Sequence, residues 1–230
     1  MPVADGGEGP GTGVAGILDG AEEIFTIYRY PLYGYLRASA MGHEDAQDVL
    51  PGFFIKMLSN DSLGSADSQR GKLRSFLVSC LSNYKNNWRR SEQCRQNKIR
   101  PEADLSDADE ARFKREQLAT LETPENYYDR RWTAELVNRV RRRLAHQFEK
   151  RSRQDLYAAL ARLLSTETPE NETLIEIATR LRLTGKALRV SLHRLRRDFR
   201  DLLIQEVQRT LAEGEDVKSE IQHLLGLFER

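Results

Sequence analysis

Apolar residues recur at helical spacing along most of the chain, and no stretch alternates apolar with polar in the manner of a half-buried strand. Ile24, Phe25, Ile27, Tyr28, Leu32, Tyr33 and Leu36 form a first apolar stripe, and Pro31 is expected to kink or divide the helix that carries it. A second stripe, Ala46, Val49, Leu50, Phe53, Phe54, Met57 and Leu58, predicts a helix over residues 44–59. Glu44, Asp45 and Asp48 open that helix, where carboxylates oppose the positive end of its dipole. Residues 60–69, rich in Ser, Asp and Gly, predict a loop. Leu73, Phe76, Leu77, Cys80, Leu81, Tyr84 and Trp88 then mark a third helix over 71–91. Further helices are predicted over 124–148, 156–164, 172–181 and 184–203, with a final amphipathic piece over 217–228. The fold class that follows is all-α.

Two stretches stand outside this periodicity. Residues 1–20, with GGEGPGTG at their heart, offer too little apolar surface to offset the entropy of ordering and predict a flexible tail. Residues 102–125 are acidic, aromatic-poor and weakly periodic, as an interdomain linker would be. The expected organisation is therefore a tail over 1–20, a helical domain over 21–100, a linker over 101–123 and a second helical domain over 124–230. A chain of 230 residues accommodates two modest domains.

Composition narrows the classes. Lys and Arg number 36 against 35 Asp and Glu, so any polyanion-binding surface must come from segregation of charge along the chain. Such segregation is present. Arg70, Lys72, Arg74, Lys85, Arg89, Arg90, Arg95, Lys98 and Arg100 are opposed locally only by Glu92, and Lys186, Arg189, Arg194, Arg196, Arg197 and Arg200 only by Asp198. A single charge run is usually a solvated helix face; two runs on helical modules suggest two contacts with a polyanion. Cys80 and Cys94 are the only cysteines, too few for a disulfide framework or a four-cysteine zinc site. No signal peptide or membrane-length apolar run is seen, which predicts a cytoplasmic protein without a membrane partner. His43, His146, His193 and His223 show no HExxH spacing, and there is no Gly-rich phosphate loop or GxSxG elbow. No enzyme, catalytic residue, metal site or cofactor is therefore expected. The acidic EDAQD stretch is explained by a helix start.

The segment TLIEIATRLRLTGKALRVSLHRLRRDF carries the most specific pattern. Leu174, Ile177, Ala178 and Leu181 form one stripe, Leu183 is the inward residue of a turn, and Leu188, Leu192, Leu195 and Phe199 form the next. Thr184 is placed to cap the second helix. This is the pattern of a helix-turn-helix that presents its second helix to a major groove. Lys186, Arg189, Val190, His193, Arg194 and Arg197 then face outward, Arg189 and Arg194 as candidate base contacts, Lys186 and Arg197 as phosphate anchors. His193 fits a reader and a plain surface histidine equally well. Arg182 stands where glycine is common in such turns.

At this point the chain resembles a sigma factor of the extracytoplasmic-function type. The resemblance rests on YRYPLYGYLRASAMGHEDAQDVLPGFFIKML, on RGKLRSFLVSCLSNYKNNWRR, and on the helix-turn-helix with its SLHRLRRDFRDLL continuation, in that order along the chain. It implies that the helix bearing Asp45, Asp48, Phe53, Phe54 and Lys56 docks on the β′ coiled coil of RNA polymerase core. The segment from Arg70 to Arg90 would lie against the minus-ten promoter element, and Thr184 to Arg197 would read the minus-thirty-five element. The implied partners are polymerase core, through its β′ coiled coil and β flap, and promoter DNA. An anti-sigma factor would be a further partner, which no residue identifies.

Promoter melting requires an unpaired base to be captured outside the stack, and aromatic and amide side chains beside a basic track suit that task. Arg74, Asn83, Tyr84, Asn87, Trp88, Arg89 and Arg90 supply those residue types. Tyr84 and Trp88 are in phase with Leu77, Cys80 and Leu81 and read better as core, which leaves Asn83, Asn87 and Arg89 the stronger candidates. Phe53 and Phe54 likewise read as partly core, with Asp48 and Lys56 better exposed. One departure is Pro51, where family members usually carry glutamine. A proline there costs about 3 kcal/mol in a regular helix. It motivates the alternative reading of a stand-alone helix-turn-helix regulator that has lost polymerase docking.

Overall fold

A computed structural model of the protein describes residues 14–59, 72–92, 107–117, 123–164, 174–212 and 214–228, the side chains of 14–23, 92 and 117 excepted. The described residues are helical and contain no strand. Nine α-helices follow in order: α1 (Val14–Ala38), α2 (His43–Ser59), α3 (Leu73–Glu92), α4 (Asp107–Gln117), α5 (Pro124–Glu149), α6 (Gln154–Ala161), α7 (Leu174–Arg180), α8 (Gly185–Gln208) and α9 (Val217–Gly226), with a 3-10 turn at Arg162–Leu164 after α6. They divide between two compact units, Met1–Asp67 with Arg74–Trp132, and Ser68–Leu73 with Thr133–Arg230.

In the first unit α1 begins at Val14, so part of the expected tail is helical, while residues 1–13 lie outside the described residues. Neither proline divides its helix: α1 runs through Pro31 and α2 through Pro51. Tertiary burial opposes the local cost, since Leu32, Tyr33 and Leu36 of α1 and Val49, Leu50 and Phe53 of α2 are all buried. Leu77 and Leu81 bring α3 into the same unit, and Tyr128 and Trp132 bring the start of α5. Two glycines permit close approach. A Cβ on Gly34 would collide with the Tyr127 ring, and one on Gly52 would sit 2.5 Å from the Tyr84 hydroxyl.

The expected linker is corrected here. Residues 107–117 form α4, whose Asp109, Glu110 and Glu116 carboxylates are bound by side chains of the first unit, while Asp107 is exposed. Arg29 donates to Asp109 at 2.8 Å, and Arg37 grips Glu110 through two nitrogens at 2.9 and 2.8 Å. The Tyr33 hydroxyl donates to Glu110 at 2.7 Å, while Tyr30 and Tyr127 donate to Glu116 at 2.6 and 2.8 Å. Phe113 is the buried apolar anchor. Residues 107–117 of the expected linker thus belong to the first unit, and the division falls inside α5, between Trp132 and Thr133.

The second unit is built on Val140 and Leu144 of α5, Ala159 and Leu160 of α6, Ile177 and Ala178 of α7, and Leu188, Leu192, Leu195 and Leu202 of α8. Glu206, buried on α8, is held by Arg143 and by Arg139 at 3.0 Å. Lys72 and Leu73, the first residue of α3, also belong here: the Leu73 amide donates to the Thr210 carbonyl at 3.0 Å, and Lys72 pairs with buried Glu220 of α9 at 2.5 Å.

Candidate nucleic-acid interface

The turn between α7 and α8 is made by backbone bonds. The Arg182 amide donates to the Thr179 carbonyl at 3.1 Å and the Leu183 amide to Ala178 at 2.9 Å, with Arg182 in the left-handed region at φ 53°. For a residue with a Cβ that conformation costs about 1 kcal/mol. Leu183 packs against the core. Thr184 is extended, and its hydroxyl accepts from the Ala187 amide at 3.1 Å, which satisfies one of the orphan donors of the first turn of α8. Thr184 is therefore occupied as a cap.

With Leu188, Leu192 and Leu195 buried, the opposite face of α8 is fixed. Lys186, Arg189, His193, Arg194 and Arg197 are exposed, and Val190 stands among them 43% exposed. Arg196 and Arg200 extend the same charge; Arg196 donates to the Leu163 carbonyl at 3.3 Å, and Arg197 pairs with Asp198 at 3.2 Å. The result is a cationic ridge around one apolar residue, with forked donors suited to phosphate and to base edges.

The first unit is less generous. Of the basic run that begins at Arg70, residues 70, 95, 98 and 100 lie outside the described residues. Arg74, expected at the minus-ten element, is instead buried: it pairs with Asp129, its guanidinium lies 5.7 Å from the centre of the Trp132 ring, and its carbonyl accepts from Tyr128 at 3.1 Å. Lys85 is also buried, with its ammonium 5.4 Å from the centre of the Tyr35 ring; burial lowers its pKa, and the neighbouring Arg89 adds to that. Arg89 and Arg90 remain exposed in the last turn of α3.

A cleft of about 270 Å³ between α2 and α3 brings Lys56, Asn83, Tyr84 and Asn87 together. Tyr84 is half-buried, edge-on to Phe53 with ring centres 5.9 Å apart, and Lys56 lies 5.6 Å from its ring centre. Asn83 and Asn87 are exposed. Lys56, assigned from the sequence to polymerase contact, thus shares a cleft with the α3 residues. Cys80 also lines it, and burial raises its thiol pKa. Trp88 is half-buried.

On α2, Asp45 and Asp48 are partly exposed and Lys56 is exposed. Phe53 and Phe54 are core residues, so they are corrected as contact candidates; the Phe54 ring meets Phe25 edge-on at 5.0 Å. Among the described residues of this unit, the large apolar side chains left exposed are Ile55 at 67%, Leu58 at 49% and Phe25 at 42%. Sequence reading passed over Ile55. Its signal was an apolar residue out of phase with the α2 stripe.

Among the described residues no group of three or more His, Cys, Asp or Glu is placed to hold a metal ion, and no helix is long and apolar enough to cross a membrane. Compared with known protein families, curated proteins and solved structures, the chain matches none.

Proposed function

We propose that the chain is a sigma factor, working in the cytoplasm, that directs RNA polymerase core to promoters and reads duplex DNA through α7 and α8 as a helix-turn-helix. The observation that carries this reading is the exposed cationic face of α8 on a Thr184-capped helix, fixed in orientation by Leu188, Leu192 and Leu195. In this reading Arg189 and Arg194 contact bases and Lys186 contacts phosphate. The cleft lined by Lys56, Asn83, Tyr84 and Asn87 favours capture of an unpaired base, since it offers a ring, amides and a cation together. The Ile55 and Leu58 side chains on α2 favour a protein partner on that helix, assigned here to the β′ coiled coil of polymerase core.

The test is run-off transcription: purified protein added to core polymerase should start transcripts at defined positions on genomic templates. Failure on every template rejects the sigma reading. A stand-alone regulator is the second reading, favoured by Pro51 inside α2. Co-purification with core polymerase separates the two, and Pro51→Gln should strengthen capture if the proline weakens docking.

A further inference from the structure

We infer that the second unit carries a phosphate-binding cleft, distinct from the outer face of α8, whose ligands are Arg153 and Arg182. The ends of α5 and α7 are built alike. Each passes through a left-handed residue, Ser152 at φ 52° and Arg182 at φ 53°, and each is closed by an amide reaching back to an earlier carbonyl, Arg153 to Phe148 and Leu183 to Ala178, both at 2.9 Å. These two sharp endings bring Arg153 and Arg182 to the wall of one cleft of about 400 Å³ beside α6, which the hydroxyl-bearing Ser152 and Ser191 also line. A neighbouring cleft of about 370 Å³ shares Asp155 and Arg180 with it and adds Arg162.

Three arginines, Arg153, Arg180 and Arg182, line the larger cleft together with one carboxylate, Asp155, which stands in the first turn of α6, where the helix dipole already favours an acid; Arg162 lines only the neighbouring cleft. Arg162 and Arg180 have partners within the protein. Arg153 and Arg182 are exposed, and among the described residues no hydrogen bond or ion pair engages their guanidinium groups. A guanidinium presents a planar fork of donors that matches phosphate oxygens two at a time, and serine hydroxyls add donors of adjustable direction. The chemistry the cleft selects is a phosphate oxyanion, either a phosphodiester of a duplex backbone or the phosphate of a free nucleotide. The duplex source rests on the DNA-reading role proposed for α8.

The experiment uses the full chain as wild type, as Arg153→Ala with Arg182→Ala, and as Arg182→Gly. Glycine relieves the left-handed backbone while removing the guanidinium, so it should keep or raise the thermal midpoint yet lose anion binding. A purely structural role for Arg182 predicts unchanged binding. In one arm, duplex binding is followed across salt concentrations by fluorescence anisotropy. The expected slope is shallower by about 2 for the double variant and by about 1 for the glycine variant. In the other arm, inorganic phosphate and adenosine monophosphate are titrated while amide NMR shifts are followed at Arg153 and Leu183. A slope change without shifts assigns the cleft to duplex phosphate, and shifts lost in both variants without a slope change assign it to a free phosphate ligand. An unchanged slope in both variants together with no phosphate-induced shifts in the wild type overturns the cleft. If the wild type binds no duplex at all, the DNA-reading role fails and the phosphate titration alone decides the cleft.

Discussion

Arginines of the same charge have opposite fates in this chain, and burial decides between them. Arg194 is exposed on α8 with its apolar neighbours Leu192 and Leu195 turned inward, whereas Arg74 is sealed against Trp132 and Asp129. Arg194→Ala should weaken binding to a specific duplex by about 1–3 kcal/mol and spare random duplex. Anisotropy titrations with both duplexes check this, and equal losses would make Arg194 a phosphate anchor. For Arg74→Ala the expected loss is in folding instead. Removing one partner of a buried pair leaves the other carboxylate poorly compensated, at a cost on the order of 3 kcal/mol in denaturant unfolding. If stability held while DNA binding fell, Arg74 would regain the contact role its sequence position suggests. Arg74 looked like part of a basic face because a linear run of cations does not record which of them lie in phase with a buried stripe. It falls three residues before Leu77, on the inward side of α3.

At the scale of elements, α8 was legible and α4 was not, for one physical reason. Leu188, Leu192 and Leu195 announce a buried face through apolar spacing, and Thr184 announces the helix start. Helix α4 docks through Asp109, Glu110 and Glu116 around a single buried ring, Phe113, so a search for apolar periodicity sees only an acidic stretch. Its attachment predicts acid sensitivity. Burial opposes the charge on Glu110 and on Glu116, but hydrogen bonds from Tyr33 and Arg37 to the first, and from Tyr30, Tyr127 and Arg112 to the second, outweigh it and hold both pKa values below the ordinary carboxylate value of about 4.3. A carboxylate with a lowered folded pKa contributes stability that is fully present above its unfolded value and is lost as pH falls through the folded one. Helix α4 should therefore hold firmly near neutrality and loosen as the pH falls through the lowered pKa values of Glu110 and Glu116. Hydrogen exchange of the α4 amides against pH reads this directly. In a Glu110→Gln, Glu116→Gln variant the helix should exchange faster at neutral pH and lose most of that pH dependence. Protection relative to the unstructured exchange rate that stayed high and unchanged in the wild type down to acid would mean that Phe113, not the carboxylates, holds the helix.

For the whole molecule, helical class and the order of the helices other than α4 could be read from the sequence because both follow from spacing along the chain. The division into units could not. Lys72 and Leu73 belong to the second unit, the chain is in the first from Arg74 and leaves it again within α5, and a composition scan for a polar linker has no way to see contacts that cross such distances. The same blindness affects charge. With Lys and Arg at 36 against 35 acids, function depends on which cations remain available, and sequence marked two basic runs of similar strength. Among the described residues they differ: Lys72 is bound to buried Glu220 and Lys85 is buried beside Tyr35, leaving Arg89 and Arg90 exposed, while Lys186 and Arg200 on α8 are exposed. Only cations that meet phosphate release counterions, so each should contribute about 0.9 to the slope of affinity against salt on a logarithmic scale. Lys186→Ala with Arg200→Ala should thus make the slope shallower by about 2. Lys72→Ala with Lys85→Ala should leave the slope where it was and lower the thermal midpoint instead. Duplex titrations at four or five salt concentrations, paired with melting curves of the same variants, distinguish the outcomes. A slope set by Lys72 and Lys85 and indifferent to Lys186 and Arg200 would remove α8 from the interface and with it the reading of this chain as a promoter-directed protein.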